Sequence, residues 1–144
     1  MRQKQFIIEG SLINDIPGFY AEINRLFMTG EDWQLGGSLD GFNDLLYGGF
    51  GAIEGEEPIA LVWKDMANSK AALDVAATRK YYEAKLSPES PFNQEHFREK
   101  LTELNEGRGQ TYFDILMEII ADHPNITVIN GGDSAQDKKT ARGR

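Results

Sequence analysis

Hydrophobic residues recur along the chain in two patterns, and each pattern predicts a different element of secondary structure. Short continuous apolar runs are typical of buried strands, and three occur, at 6–8, 58–63 and 126–129. Apolar residues spaced three or four positions apart predict helices, and they fall at 16–27, 38–46, 70–86 (as one helix or two), 92–104 and 111–122. Strands joined by helical crossovers lie parallel, with right-handed connections. The predicted fold is therefore a small α/β domain, a three-stranded parallel sheet packed with helices.

Capping and breaking residues mark the predicted ends of several helices. Ser38 is the expected N-cap of the second helix, and Asn68 or Ser69 is that of the helix after the second strand. The segment 87–91 contains two prolines and separates two helices, and Pro124 stops the last one. The fold is expected to end at 131–132, and the segment 131–144, which lacks large apolar residues, is predicted to be a disordered tail.

The helix at 38–46 carries two carboxylates opposite its apolar face. Leu39, Phe42 and Leu46 form that face, while Asp40 and Asp44 lie one turn apart, about 5–6 Å between Cβ atoms. Asp40 sits in the first turn, where it faces the positive end of the helix dipole. Asp44 lies mid-helix, where aspartate is a poor helix former. These carboxylates either meet a partner or, on the alternative interpretation, form an ordinary solvated face.

Charge is distributed unevenly over the chain. The formal net charge is −8, a sign that opposes binding to the phosphate backbone of a nucleic acid. No Lys or Arg occurs at 26–63, and the same interval holds seven acidic residues: Glu31, Asp32, Asp40, Asp44, Glu54, Glu56 and Glu57. The sequence therefore predicts a negative patch around the Asp40 helix that would attract a basic partner. The alternative is that these loops only maintain solubility.

Other features narrow the classes of protein to consider. At 144 residues the chain is expected to form one domain with its own core. It has no cysteine, so disulfides and thiolate metal sites are excluded. The segment 1–6 lacks the apolar run of a signal peptide, and no segment approaches the length of a membrane span. We therefore expect a cytoplasmic protein that does not bind membranes.

Catalytic and metal-binding motifs are weak in this sequence. His96 and His123 form no metal-binding pair, and structural or surface roles are expected for both. Asp40, Asp44 and Glu118 offer the carboxylates of a Mg²⁺ or acid–base site, with Glu118 predicted to point to solvent. No neighbouring cation in the sequence is placed to bind a substrate phosphate, which argues against a nuclease. The prediction is a protein that is not an enzyme and has no cofactor or metal.

Four segments together resemble the barstar family, the intracellular protein inhibitors of secreted ribonucleases. The segment Gly36-x-Ser38-Leu39-Asp40-Gly41-Phe42-x-Asp44-x-Leu46 resembles that family's helix signature. The segments 6–10 and 58–70 resemble its first strand and its second strand with third helix, and 112–118 with 125–129 resembles its last helix and last strand. The likeness covers roughly 5–71 and 111–130. It implies a barstar-like domain at 1–130, with 72–110 as a mostly helical insertion.

The resemblance also implies a function and a set of site residues. In the family, this helix and the loop before it block a ribonuclease active site, with carboxylates in the positions of substrate phosphates. The resemblance assigns Asp40 and Asp44 to those carboxylates, with Asn43 beside them, and Glu118 to a further acidic contact. It assigns Leu35 and Gly36 to the loop whose backbone lies against the enzyme.

The implied protein is a monomeric inhibitor of a basic secreted ribonuclease, or an immunity protein against a toxin ribonuclease. Asn43 stands where the best-known member of the family has tryptophan, so the partner is expected to differ from that member's. Two alternatives to an inhibitor of this kind remain open. The first is a barstar-like scaffold that binds a toxin or regulator other than a ribonuclease. The second is a carboxylate enzyme that needs a divalent metal.

Overall fold

The computed structural model of the chain describes residues 4–86, 88 and 93–132. Within these residues the protein is an α/β fold with one three-stranded sheet and six α-helices. The elements in chain order are β1 (Lys4–Glu9), α1 (Ile16–Phe27), α2 (Leu39–Leu46), β2 (Ile59–Lys64), α3 (Met66–Ala72), α4 (Val75–Lys85), α5 (Gln94–Asn105), α6 (Tyr112–Ala121) and β3 (Ile126–Asn130). The predicted order of strands and helices is confirmed.

The sheet has the order β1-β2-β3, and both pairings are parallel, as the helical crossovers predict. The central strand β2 is almost entirely buried because it has a neighbour on each side and contributes Ile59, Leu61 and Trp63 to the core. Helix α1 packs on β1, α6 packs on β3, and α2 lies against α6. This arrangement fixes the position of α2, the helix that carries Asp40 and Asp44.

The expected cap at Asn68 or Ser69 is wrong, because α3 begins at Met66 with Asp65 as its N-cap. Ser69 is fully buried inside the helix. Its Oγ accepts a hydrogen bond from the indole Nε1 of Trp63 at 2.9 Å and donates to the carbonyl of Gly10 at 3.2 Å. Ser69 thus accepts the hydrogen bond of a buried indole N–H. In the sequence alone, this tertiary role cannot be distinguished from that of a helix cap.

The described part of the segment 72–110 is mostly helical, as predicted, and it also contributes to the core. Leu73 and Thr78 are fully buried. The Thr78 hydroxyl accepts a hydrogen bond from the backbone N–H of Tyr112 at 2.7 Å, and the carbonyl of Leu73 accepts one from Phe113 at 3.3 Å. Helices α4 and α5 pack on each other, and α4 also contacts α6. The predicted break at 87–91, except Pro88, and the predicted tail beyond 132 lie outside the described residues.

Two buried tyrosines join α1 to α6. The hydroxyl oxygens of Tyr20 and Tyr112 are 2.6 Å apart, and either group can donate the hydrogen bond. Burial raises the pKa of Tyr20 to about 12, although the hydrogen bond with Tyr112 opposes the shift. Burial also raises the pKa of Tyr112, and the charges of Tyr20 and its neighbours add to that effect. Both phenols therefore stay protonated in the folded protein where an unfolded tyrosine ionises.

We expect the free energy of unfolding to fall as pH rises from about 10 towards 12. Unfolded tyrosine ionises near pH 10 while Tyr20 keeps its proton to about 12, so the unfolded state binds fewer protons in this window. In this window each such tyrosine lowers the free energy of unfolding by about 1.4 kcal/mol per pH unit. Below pH 10 its full contribution to stability is present. Urea unfolding at pH 8 and pH 11 measures the loss.

The double variant Tyr20→Phe/Tyr112→Phe is the control for this pH dependence. It removes both hydroxyls together, so no buried phenol is left without a partner, and its stability at pH 8 is expected to stay close to that of the original protein. Its loss between pH 8 and pH 11 is expected to be smaller. An equal loss in both proteins would assign the alkaline sensitivity to other groups.

Candidate protein-binding surface

Helix α2 is held in one orientation by its cap and its buried face. The hydroxyl of Ser38 accepts a hydrogen bond from the N–H of Gly41 at 3.2 Å, which confirms the predicted N-cap. Phe42, Leu45 and Leu46 are buried, and the Phe42 ring meets Phe19 of α1 edge-on, with 5.3 Å between ring centroids. Since these contacts fix the rotation of the helix, the direction of its opposite face is fixed as well.

That opposite face presents both aspartates to solvent. Asp40 and Asp44 are exposed, and within the described residues neither carboxylate forms an ion pair. Asp40 lies in the first turn of α2, where the backbone N–H groups favour negative charge. Asp44 lies near the other end and lacks that support. Two like charges one turn apart repel each other weakly, and a cationic partner would relieve that repulsion.

Asn43, the third predicted residue of this helix, is half-buried and tied to the end of α6. Its Oδ1 lies 2.7 Å from Nε2 of His123, which is 3% exposed. The His123 ring in turn meets the exposed ring of Tyr47 edge-on at 4.6 Å. Asn43 therefore anchors α2 to the core, and its neighbour Tyr47 is the larger exposed group. The structural role expected for His123 is confirmed, but its partner 80 positions away has no local signal.

The loop before α2 is fixed by one side chain from α1. The carboxamide of Asn24 accepts a hydrogen bond from the N–H of Leu35 at 2.8 Å and donates to its carbonyl at 3.2 Å. Leu35 is 7% exposed and belongs to the core, so both its backbone groups are engaged within the protein. Gly36 is exposed, and its carbonyl accepts from Ser38 at 2.8 Å. The structure thus gives Leu35 a positioning role and leaves Gly36 on the surface.

Asn24→Ala is expected to lower the free energy of unfolding by about 2 kcal/mol, because it leaves a buried N–H and a buried carbonyl of Leu35 unpaired. The same change should speed hydrogen exchange at the Leu35 amide. Urea unfolding and amide exchange measure the two effects. Asn14→Ala, at an exposed asparagine, is the control, and it should change the free energy of unfolding by no more than about 0.5 kcal/mol. Unchanged exchange at Leu35 would show that other contacts hold the loop.

Glu118 is exposed on α6, as predicted. Its carboxylate accepts a hydrogen bond from the Gln110 side chain at 2.9 Å. Gln110 also lines the cleft that Asp40 borders, and α2 packs directly on α6. Glu118 thus lies on the helix that packs against α2, although 78 positions separate it from Asp40 in sequence.

A cleft of about 670 Å³ opens beside Asp40. The first residues of α2 form one wall, and side chains of α4 and α5 form the other, among them Tyr81, Lys85, His96 and Lys100. Burial raises the pKa of the Tyr81 phenol, and the nearby charge of Asp40 raises it further. No pattern in the sequence predicts this cleft, since its walls come from segments about 40 to 60 positions apart.

One acidic residue of the interval 26–63 has a cationic partner that the sequence pattern did not predict. Lys4 is the first residue of β1, and its backbone N–H donates a hydrogen bond to the carbonyl of Pro58. Its ammonium group lies 3.3 Å from Glu57 and donates to the carbonyl of Ala52 at 2.8 Å. The expectation of seven acids without a counter-charge is therefore wrong at Glu57, because strand pairing brings Lys4 from outside the interval.

An aromatic pair lies in the same acidic region. Trp33 is 45% exposed, and its ring lies 4.9 Å from that of Phe50. The carboxylate of Glu31 accepts a hydrogen bond from the N–H of Gly51 at 2.7 Å, which ties the two loops together. A ring that is half packed and half exposed can serve both as a cover for the core and as an aromatic contact for a partner.

Within the described residues, no three His, Asp or Glu side chains gather in a group that could hold a metal ion. None of the helices described is both long and apolar enough to cross a membrane. Comparison of the chain with models of known protein families, with curated proteins and with solved structures gives no match. The interpretation of this surface therefore depends on its residues and their geometry.

Proposed function

We propose that this protein is a barstar-like inhibitor of a basic ribonuclease, and that α2 and the loop before it block the active site. One observation carries the proposal: Asp40 and Asp44 lie side by side on a rigidly held helix, exposed and without an ion-pair partner among the described residues. A ribonuclease active site must hold anionic phosphates, and it does so with cationic side chains. Two fixed carboxylates offer those cations the same charge.

The surroundings of α2 support this partner. The interval 26–63, which contains α2 and the loop before it, holds no Lys or Arg, and Lys4 is paired with Glu57, so this part of the chain keeps a net negative charge. A field of this kind speeds the encounter with a basic protein at low salt. Arginine on the enzyme can bind each carboxylate through two parallel hydrogen bonds. Electrostatics and hydrogen-bond geometry therefore favour the same class of partner.

Pre-organisation supports an inhibitor rather than a loosely charged loop. The Ser38 cap, the buried Phe42 and the Asn24 clamp on Leu35 hold the helix and its loop before any partner binds. Little conformational entropy then remains to be lost on association, and more of the contact energy appears as affinity. A solvated acidic face needs none of these restraints.

The test is inhibition of RNA cleavage by the purified protein against a panel of small, basic, secreted microbial ribonucleases. We expect at least one enzyme to be inhibited at a one-to-one ratio, with slower association as salt rises. An acidic ribonuclease serves as the control and should be unaffected. If no basic ribonuclease is inhibited while pull-down captures a partner without RNA-cleaving activity, the protein is a scaffold for a different toxin or regulator.

A further inference from the structure

Tyr47, the residue that ends α2, is the most exposed large hydrophobic side chain among the described residues. Its exposed fraction is 65%, against 58% for Leu12 and 45% for Trp33. Its backbone keeps the right-handed helical conformation, with φ of −73° and ψ of −14°. Because Asp44 and Tyr47 are three positions apart on this helix, their side chains are surface neighbours, about 5–6 Å apart at Cβ. An exposed carboxylate and an exposed ring therefore lie side by side.

The ring of Tyr47 is supported on one side by the end of α6. The His123 ring meets it edge-on, with 4.6 Å between centroids, and Nε2 of His123 lies 2.7 Å from Oδ1 of Asn43. His123 is only 3% exposed, so this support belongs to the core. Gly48 and Gly49 follow Tyr47 and carry no side chain that could cover the ring. The ring is thus held in place and still open to a partner.

Three features at this end of α2 favour a cation over an apolar group. Asp44 is exposed and has no ion pair among the described residues. The carbonyl groups at the end of a helix carry the negative end of its dipole, and the last turn of α2 contains no basic residue that would offset it. The face of an aromatic ring also attracts positive charge. A cation beside Tyr47 and Asp44 would be stabilised by all three features together.

We propose that Asp44 and Tyr47 together hold one arginine of the ribonuclease, and that Tyr47 makes arginine preferred to lysine there. This inference rests on the proposed function, since the arginine belongs to the active site that α2 blocks. A guanidinium group is planar, so it can bind the carboxylate through two parallel N–H groups while its face stacks on the ring. The ammonium group of lysine is a compact, strongly hydrated point charge and lacks a face that could stack.

The first experiment measures how variants of Tyr47 bind each ribonuclease that the original protein inhibits. Tyr47→Leu removes the ring but keeps an apolar side chain, and it should weaken binding about 5- to 30-fold, the range of a cation–π contact. Tyr47→Phe keeps the ring face and should stay within about threefold of the original protein. Leu12→Ala, at an exposed side chain outside α2, is the control and should change binding by no more than about twofold. Matching urea midpoints show that the variants fold.

A double-variant cycle tests whether Asp44 and Tyr47 bind the same group of the enzyme. If one arginine bridges them, the loss of affinity in Asp44→Ala/Tyr47→Leu should be smaller than the product of the two single losses, by about threefold or more. Single losses that simply multiply would show that the two side chains bind separate groups, and that result would overturn the proposal.

A second measurement identifies the cation on the enzyme. Phenylglyoxal reacts selectively with arginine side chains, so mass spectrometry of the treated enzyme should reveal an arginine that is protected only in the complex. Replacing that arginine with lysine should weaken binding of the original protein several-fold, and binding of Tyr47→Leu should be weakened less. Calorimetry measures both affinities even if the altered enzyme is inactive. An enzyme without a protected arginine would contradict the proposal.

The outcomes separate this inference from the proposed function. If the original protein and Tyr47→Leu inhibit an enzyme equally well, Tyr47 holds no arginine, while the proposed function stands. If Tyr47→Phe loses as much affinity as Tyr47→Leu, the hydroxyl group rather than the ring face makes the contact, and the inference is wrong. If the original protein inhibits no enzyme on the panel, the proposed function falls and this inference falls with it.

Discussion

Asp44→Ala is expected to weaken inhibition of the cognate ribonuclease roughly 10- to 150-fold. The estimate corresponds to losing one charged hydrogen bond to the enzyme, about 1.5–3 kcal/mol. Asp44 is exposed, and among the described residues its carboxylate has no ion pair that its removal would break, so the stability of the free protein should hardly change. The inhibition constant from RNA cleavage at a fixed salt concentration measures the effect.

Glu99→Ala is the matched control for Asp44→Ala. It removes the same charge from an exposed position on α5 that does not itself line the cleft. Its effect on inhibition should stay within about threefold, because it changes only the long-range field. Equal losses in the two variants would mean that net charge alone drives binding and that Asp44 occupies no specific site.

Trp63→Ala is expected to lower the free energy of unfolding by about 3–5 kcal/mol, the usual cost of deleting a large buried aromatic side chain. Trp63 has no exposed surface, and its ring contacts Phe19 and Phe113. Its loss also removes the hydrogen bond to Ser69. The total free energy of unfolding of an ordinary domain is about 5–15 kcal/mol, so the variant should be close to unfolding. Urea unfolding followed by circular dichroism measures the change.

Trp33→Ala provides the comparison with the same substitution at a half-exposed ring. The only ring contact of Trp33 among the described residues is with Phe50. The substitution should therefore lower the free energy of unfolding by less than about 1.5 kcal/mol. The same variant separates the two roles of Trp33, because weakened inhibition at unchanged stability would identify it as a contact with the enzyme. A cost as large as that of Trp63→Ala would show that Trp33 mainly covers the core.

The main elements of the fold could be predicted because they depend on local patterns. Continuous apolar runs gave the three strands, and helical crossovers gave their parallel order. Ser38 was identified as a cap because its hydroxyl acts on an N–H only three positions away. The apolar spacing of Phe42 and Leu46 also placed Asp40 and Asp44 on the outer face, where the structure has them.

The predictions that failed involve partners distant in sequence. Serine is a common N-cap residue, yet the Ser69 hydroxyl accepts a hydrogen bond from the indole of Trp63 and donates one to the carbonyl of Gly10, 59 positions away. Lys4 neutralises Glu57 only because β1 pairs with β2. Hydrophobic spacing carries no information on such contacts. For the same reason the sequence could not show that Asn24 holds the loop at Leu35.

The measurement that tests the central claim most directly is competition for the ribonuclease active site. The rate of RNA cleavage is titrated with this protein at several concentrations of a mononucleotide product of the inhibited enzyme. If Asp40 and Asp44 take the place of substrate phosphates, the nucleotide should compete, and the apparent inhibition constant should rise in proportion to its concentration. An inhibition constant that does not change with nucleotide would contradict the claim that this acidic helix occupies the active site.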